Sequence, residues 1–182
     1  ALTAAAKTLL LRATAADATL AAQVIGAFKL SGATTELASV LTWDGSKAPS
    51  AVLLAALRGL RENRAGSVVT FEQLVRATAD PLVKDEALAA WAALPEAEAA
   101  ARLVQLLPTL TVAQRRNLVE RLVTHPAGAA AVLAGLRAAT WSKEEVSVGA
   151  VEQLRRSFPA DAAVTALWQA HGGDAQRALR LP

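Results

Sequence analysis

Apolar residues recur along the chain at steps of three and four, in short bursts separated by Pro, Gly, Asp and Ser. The clearest burst is "DPLVKDEALAAWAAL", residues 80 to 94, where Val83, Ala87, Trp91 and Leu94 fall at steps of four, four and three. That spacing places all four on one stripe of a 3.6-residue helix. Asp80 supplies an N-cap acceptor, and Pro81 suits the first helical turn, where its missing N–H has no partner to lose. Lys84, Asp85 and Glu86 then fall on the solvent side. The same period predicts helices around Leu37, Val40 and Leu41, around Phe71, Leu74 and Val75, around Leu118, Val119, Leu122 and Val123, and around Val148, Val151 and Leu154. Each is too short to be stable alone in water, so they must pack on one another. No alternating pattern of strand length competes with this reading.

The bursts resemble one another. Setting residues 17–30, "DATLAAQVIGAFKL", under residues 80–93 without gaps matches Asp17 to Asp80, Leu20 to Val83, Val24 to Ala87, Ile25 to Leu88 and Phe28 to Trp91. Further segments open at Pro49, Pro126 and Pro159. With Ala18 in the place of a proline, the starts at 18, 49, 81, 126 and 159 lie 31, 32, 45 and 33 residues apart. A unit of about 32 residues accommodates two helices and tight turns, so the chain reads as a stack of helix pairs. The longer interval contains "PEAEAAARLVQLL", residues 95–107, predicted as an additional helix. "DGS" at 44–46, "AGS" at 65–67 and "HGGD" at 171–174 are turn signals.

Composition supports helices. Of 182 residues 53% are hydrophobic but only 4% aromatic, and Ala, which loses no side-chain entropy in a helix, supplies the difference. With no Cys, a disulfide framework, a thiol nucleophile and a thiolate metal site are excluded from this segment. Lys or Arg interrupts every apolar run of near membrane-spanning length, so no membrane insertion is expected, and the chain reads as a soluble fragment of a larger protein. Formal charge is +3, with 19 basic against 16 acidic residues mostly interspersed. A nucleic-acid surface usually gathers its basic residues on one face, so nucleic acid is the disfavoured partner. Arg58, Arg61 and Arg64 do form a strip, but Glu62 interrupts it and no aromatic residue is interleaved; Arg115-Arg116 and Arg155-Arg156 add doublets.

Catalytic candidates are few. His125 precedes Pro126 and His171 precedes Gly172-Gly173; both read as last-turn residues complementing a helix dipole, with the glycines as a left-handed C-cap. Glu96, Glu98, Glu144 and Glu145 read as first-turn acids, not as acid/base pairs. No nucleophile elbow, phosphate loop or nucleotide fingerprint occurs. Metal ligands, cofactors and catalytic residues are all expected to be absent. Trp91 and Trp168 belong to apolar stripes; Trp43 in "TWDG" and Trp141 in "TWSK" end helices and are read as packing, with partner anchoring as the alternative.

Asp80, Pro81, Val83, Lys84, Ala87, Leu88 and Leu94 resemble the second helix of a HEAT repeat. The resemblance implies an all-α, right-handed α-solenoid of about five HEAT-like antiparallel helix pairs, forming one repeat domain over residues 1–182 with the proline-started helices as its concave layer. Residues 119–173 are also similar to the helical segment of large bacterial periplasmic proteins that carry a sugar-dehydrogenase-like β-propeller and a c-type cytochrome domain. That similarity implies a periplasmic location; otherwise the expectation is cytoplasmic. The expected function is a non-catalytic scaffold or docking module that contacts a protein or a neighbouring domain of the same chain. Arg58, Arg61, Lys84 and Arg137, on the proline-started helices, are the expected contact residues. A DNA-repair-type nucleic-acid-binding solenoid and a helical enzyme or ligand-binding domain are the alternatives.

Overall fold

The computed structural model describes residues 1–12, 14–42, 48–139, 142 and 145–172. These residues form α-helices and two 3-10 turns, with no strand among them. The chain divides into two compact units, Ala1–Leu94 and Pro95–Pro182.

The first unit contains α1 (Leu2–Arg12), α2 (Ala15–Ala27), α3 (Thr34–Leu41), α4 (Ser50–Asn63), α5 (Val68–Ala77) and α6 (Pro81–Ala92). α4 lies between α2 and α6, and α1, α3 and α5 each pack on one of these three, on α2, α4 and α6 respectively. One row of helices thus backs another. α1 carries none of the cap or proline signals that marked the other helices; its Ala- and Leu-rich sequence forms a helix that buries Ala6 and Leu10.

Asp80 caps α6 as expected: its Oδ1 accepts from the Leu82 and Val83 N–H groups at 2.9 and 3.4 Å, with Pro81 in the first turn. The match of residues 17–30 to 80–93 is out of register by three. α2 starts at Ala15 with Thr14 as N-cap, and the Thr14 hydroxyl donates to Asp17 Oδ2 at 2.9 Å while accepting from the Asp17 N–H. Asp17 therefore stands in the first turn, where its charge favours the dipole, and is not the cap. Leu20 and Phe28, matched to buried Val83 and Trp91, are 54% and 65% exposed. With Thr14 set on Asp80, buried Ala21, Ala22 and Ile25 align with buried Ala87, Leu88 and Trp91.

The starts move accordingly. Pro49 is the N-cap of α4, and Pro159 lies two residues before Asp161, the N-cap of the last helix; only Pro81 and Pro126 open their helices. The five helices begin at Ala15, Ser50, Pro81, Pro126 and Ala162, at intervals of 35, 31, 45 and 36 residues.

α2 and α4 meet where neither has a side chain. A Cβ built on Gly26 would come within 3.0 Å of the Gly59 Cα, and one on Gly59 within 3.0 Å of the Ala22 carbonyl oxygen and 2.7 Å of Leu37 Cδ2. Leu37 is fully buried, so its methyl group has nowhere to move. The Asn63 side-chain amide joins the two helices, donating to the Ile25 and Gly59 carbonyls at 3.2 and 2.8 Å. Gly59→Ala is expected to destabilise by about 1–2 kcal/mol, because overpacking outweighs the improved helix propensity. Gly149→Ala, on an open helix surface, is expected to stabilise by up to about 1 kcal/mol. Urea unfolding of the two variants checks this, and the same sign for both would contradict it.

The second unit contains α7 (Ala97–Leu106), α8 (Val112–Leu122), α9 (Pro126–Arg137), α10 (Val148–Ser157) and α11 (Ala162–Ala170). α7 is the additional helix expected in the long interval. α9 packs on α7, α8, α10 and α11, and α10 also packs on α11 and α8. Thr111 and Gln114 form a capping box at the start of α8. Trp91 and Trp168 are buried as expected, at 1% and 7% exposure. Trp43, Trp141, Glu144, Gly173 and the "DGS" turn at 44–46 lie outside the described residues.

Candidate interaction surface

Among the four expected contact residues, Arg58, Arg61 and Lys84 belong to the first unit, on α4 and α6. Arg58 and Arg61 are one helical turn apart on α4 and converge on a single acid of α6. Arg58 Nε donates to Glu86 Oε2 at 3.3 Å, and Arg61 NH1 lies 2.6 Å from Glu86 Oε1 in an ion pair without hydrogen-bond alignment. The Glu86 side chain is only 13% exposed, which corrects its assignment to the solvent side. Arg61 NH2 also lies 3.5 Å from Glu62, as its interruption of the strip implied. Lys84 is half-buried on α6, two residues before Glu86. The strip is therefore partly neutralised by its own scaffold: one carboxylate holds two guanidiniums, and Arg58 keeps 59% of its side chain exposed.

Arg137 belongs to the second unit and does not join this group. It ends α9 and pairs with Asp161, whose Oδ1 caps α11 by accepting from the Ala163 and Val164 N–H groups. Asp80 is held in a comparable manner: the Ser50 hydroxyl, at the start of α4, donates to its Oδ2 at 2.6 Å. In both units, then, a side chain of one helix steadies the capping acid of the next.

The Ser50 hydrogen bond holds the Asp80 carboxyl below the ordinary carboxylate range; burial opposes it, and the Leu82 and Val83 N–H groups add to the lowering. A lowered value means that ionised Asp80 stabilises the fold above the unfolded-state value of about 3.9, and that this contribution is lost as pH falls through the lower native value. Asp80→Asn keeps an acceptor but has no charge to titrate. The gap in unfolding midpoint between wild type and D80N is expected to be constant from pH 7 to 5 and to shrink below about pH 4. Parallel profiles down to pH 3 would contradict it.

Beside Asp80 is a cleft of about 610 Å³ among α3, α4, α5 and α6, floored by Val40, Leu53, Leu74 and Val83 and edged by Thr70 and Gln73. Its volume lies within the range of small-molecule sites. Neither histidine lines it.

His125 departs from expectation. It caps the N-terminus of α9, its Nδ1 accepting from the Gly128 N–H at 3.2 Å, so it faces the positive end of a dipole and not the negative one. His171 does follow the last turn of α11, and Gly172 behind it has φ +87°, the left-handed cap expected there. Glu96 is the N-cap residue of α7, and Glu98 in its first turn pairs with Arg102 at 3.1 Å. Glu145 lies ahead of α10, outside its first turn, and grips Arg115 of α8 with both oxygens, at 2.5 and 2.6 Å, while Arg115 NH1 donates to the Leu110 carbonyl. This pair raises the Arg115 pKa above its ordinary value. The two residues are 30 apart, and no helical spacing relates them, so the sequence carried no signal for the contact.

Among the described residues, no three His, Asp or Glu side chains gather as a metal-ligand group, and no helix is long and apolar enough to cross a membrane. Comparisons with protein-family models, curated proteins and solved structures match nothing to this chain.

Proposed function

We propose that the protein is a non-catalytic docking module, a right-handed solenoid of about five HEAT-like helix pairs that presents the α4–α6 face to a protein or to a neighbouring domain of its own chain. The observation that carries this reading is the organisation of the first unit. α2, α4 and α6 lie in a row, each backed by a further helix, and in such a row each helix buries its apolar stripe against neighbours while one face stays free. On that face Arg58 is held in place by Glu86 yet remains mostly exposed, and Leu82 of α6 is 66% exposed. A preorganised guanidinium near exposed apolar surface suits a partner that offers a carboxylate and an apolar side chain.

The arginines are also engaged in a way that argues against nucleic acid. Arg58 and Arg61 share Glu86, Arg115 grips Glu145 and Arg137 pairs with Asp161, so each has a carboxylate neighbour that would repel a phosphate.

The test is site-specific photo-crosslinking in the full-length protein in its own cells, with the reactive residue placed at Arg58 or Leu82 on the proposed face and at Arg76 on α5. A discrete adduct from positions 58 and 82 but not 76 is expected. The purified partner should then lose at least tenfold in affinity for Arg58→Glu, with the unfolding midpoint held. Equal labelling from all three positions, or none from any, would overturn the reading.

A further inference from the structure

The α1–α2 pair covers only one of its two sides. Residues two apart on a helix are about 200° apart around it, so their side chains point to opposite sides. On α1, Lys7 lies 2.6 Å from Glu36 of α3, and Leu9, two residues on, therefore faces away from α3; Leu2, seven residues before Leu9, shares its stripe. On α2, Gly26 meets Gly59 of α4, and Phe28, two residues on, faces away from α4. Val24 and Leu20 precede Phe28 at steps of four on the same stripe. α2 begins three residues after α1 ends and packs on it, so the two stripes lie side by side on the surface turned away from α3 and α4. There Leu2, Leu9, Leu20 and Phe28 are 47%, 43%, 54% and 65% exposed. Together they offer roughly 400 Å² of apolar surface, a patch size that often marks a contact site. The outermost pair of a helical stack normally turns a polar face to water, and this pair does not.

We infer that this surface is a self-association face, on which a second copy of the chain packs its own α1–α2 pair about a two-fold axis. The order of residues along α2 is its own complement. Asp17, Leu20, Val24 and Phe28 form one stripe, and Lys29 follows at its end. With the axis at Val24 and the two α2 helices antiparallel, Leu20 of each copy meets Phe28 of the other, because both stand four residues from Val24. Asp17 stands seven residues before the axis and Lys29 five after it, an offset of about 3 Å that a lysine side chain spans. Lys29 of each copy thus reaches Asp17 of the other, and two ion pairs close the ends of the apolar strip. Both groups are available for this. Lys29 is exposed and has no partner among the described residues, and Asp17 receives the Thr14 hydroxyl on Oδ2 while Oδ1 has no donor among them. A partner of another sequence would have to carry the reverse order of charges around a matching apolar strip, which a second copy supplies by symmetry. A standard interface buries about 800 Å² per partner, a little over half of it apolar, so a patch of roughly 400 Å² provides most of the apolar share. This face leaves the α4–α6 face free.

Sedimentation velocity is expected to show the chain passing from monomer to dimer between about 1 and 100 µM. Leu20→Glu, a change at an exposed position, should weaken the dimer at least tenfold and leave the helical circular dichroism unchanged. Lys29→Glu should also weaken it, and adding Asp17→Lys to Lys29→Glu should restore it, since the exchanged charges still meet. The chain has no cysteine, so a single introduced thiol reports without background. On oxidation Val24→Cys should give a covalent dimer, because the two sulfurs meet at the axis. Gln23→Cys, about 100° further round the helix, should not. A chain that stays monomeric to about 100 µM overturns the inference, as does a dimer that Leu20→Glu leaves intact, because the copies then meet elsewhere. Equal crosslinking from positions 23 and 24, or an exchange of charges that fails to restore the dimer, overturns the antiparallel pairing.

Discussion

Trp91→Ala is expected to remove about 3–5 kcal/mol of stability, the largest loss for any single truncation in the first unit. Trp91 is 1% exposed, and around it on α6 the residues Ala87, Leu88, Ala89, Ala90 and Ala92 are all buried. Truncating a fully buried indole removes its transfer free energy and leaves a large cavity, whose cost adds to the loss. Trp91→Phe, which keeps most of the volume, should lose well under half as much. Leu82→Ala, nine residues away on the same helix and 66% exposed, should change stability by less than about 0.5 kcal/mol. Urea unfolding followed by far-ultraviolet circular dichroism measures all three. A Trp91→Ala loss below about 1.5 kcal/mol would mean that the helices close over the gap, and would contradict rigid stacking.

The second large effect concerns a single methyl group. Gly128, in the first turn of α9, faces the end of α8 so closely that a Cβ there would fall inside contact distance of the Leu122 carbonyl oxygen and 2.8 Å from His125 Cε1. The first obstacle is backbone and cannot rotate away. The second is the imidazole that caps α9 through the Gly128 N–H itself, so relieving the clash also releases the cap. Gly128→Ala is therefore expected to destabilise by about 3 kcal/mol, the upper end for overpacking, even though alanine is the better helix former by about 1 kcal/mol. Amide hydrogen exchange should show residues 126–129 losing protection first. A stabilised variant would mean that the α8–α9 corner is looser than drawn.

Helix positions were legible where the apolar period was clean. Val83, Ala87, Trp91 and Leu94, and Val151 with Leu154, are buried as their spacing required. Register was less so at α2. A Thr three residues before an Asp offers two caps, and the match to Asp80 favours the acid; the cap is Thr14, and the shift of three turns Leu20 and Phe28 outward. The proline at 159 misled for a related reason, since a proline ahead of a helix and one in its first turn look alike until the capping Asp161 is placed. Contacts between helices were the least legible. Glu86 looked like one of three solvent-side charges in a row, and only the packing of α4 on α6 turns it inward to meet Arg58 and Arg61. His125 stands before Pro126 at a helix junction and reads as a last-turn residue complementing the dipole of the preceding helix, whereas its ring caps the helix that follows.

The Ser50–Asp80 hydrogen bond ties the opening of α4 to that of α6. A helix end ordinarily frays by itself, but here loosening the first turn of α6 takes away the acceptor that the first turn of α4 uses. The two ends should thus open as one event, with the amides of Leu82 and Val83 exchanging at a rate that Ser50→Ala raises from a different helix. Neighbouring helices in such a row are then not independent bricks but links, and a partner that grips either end tightens both.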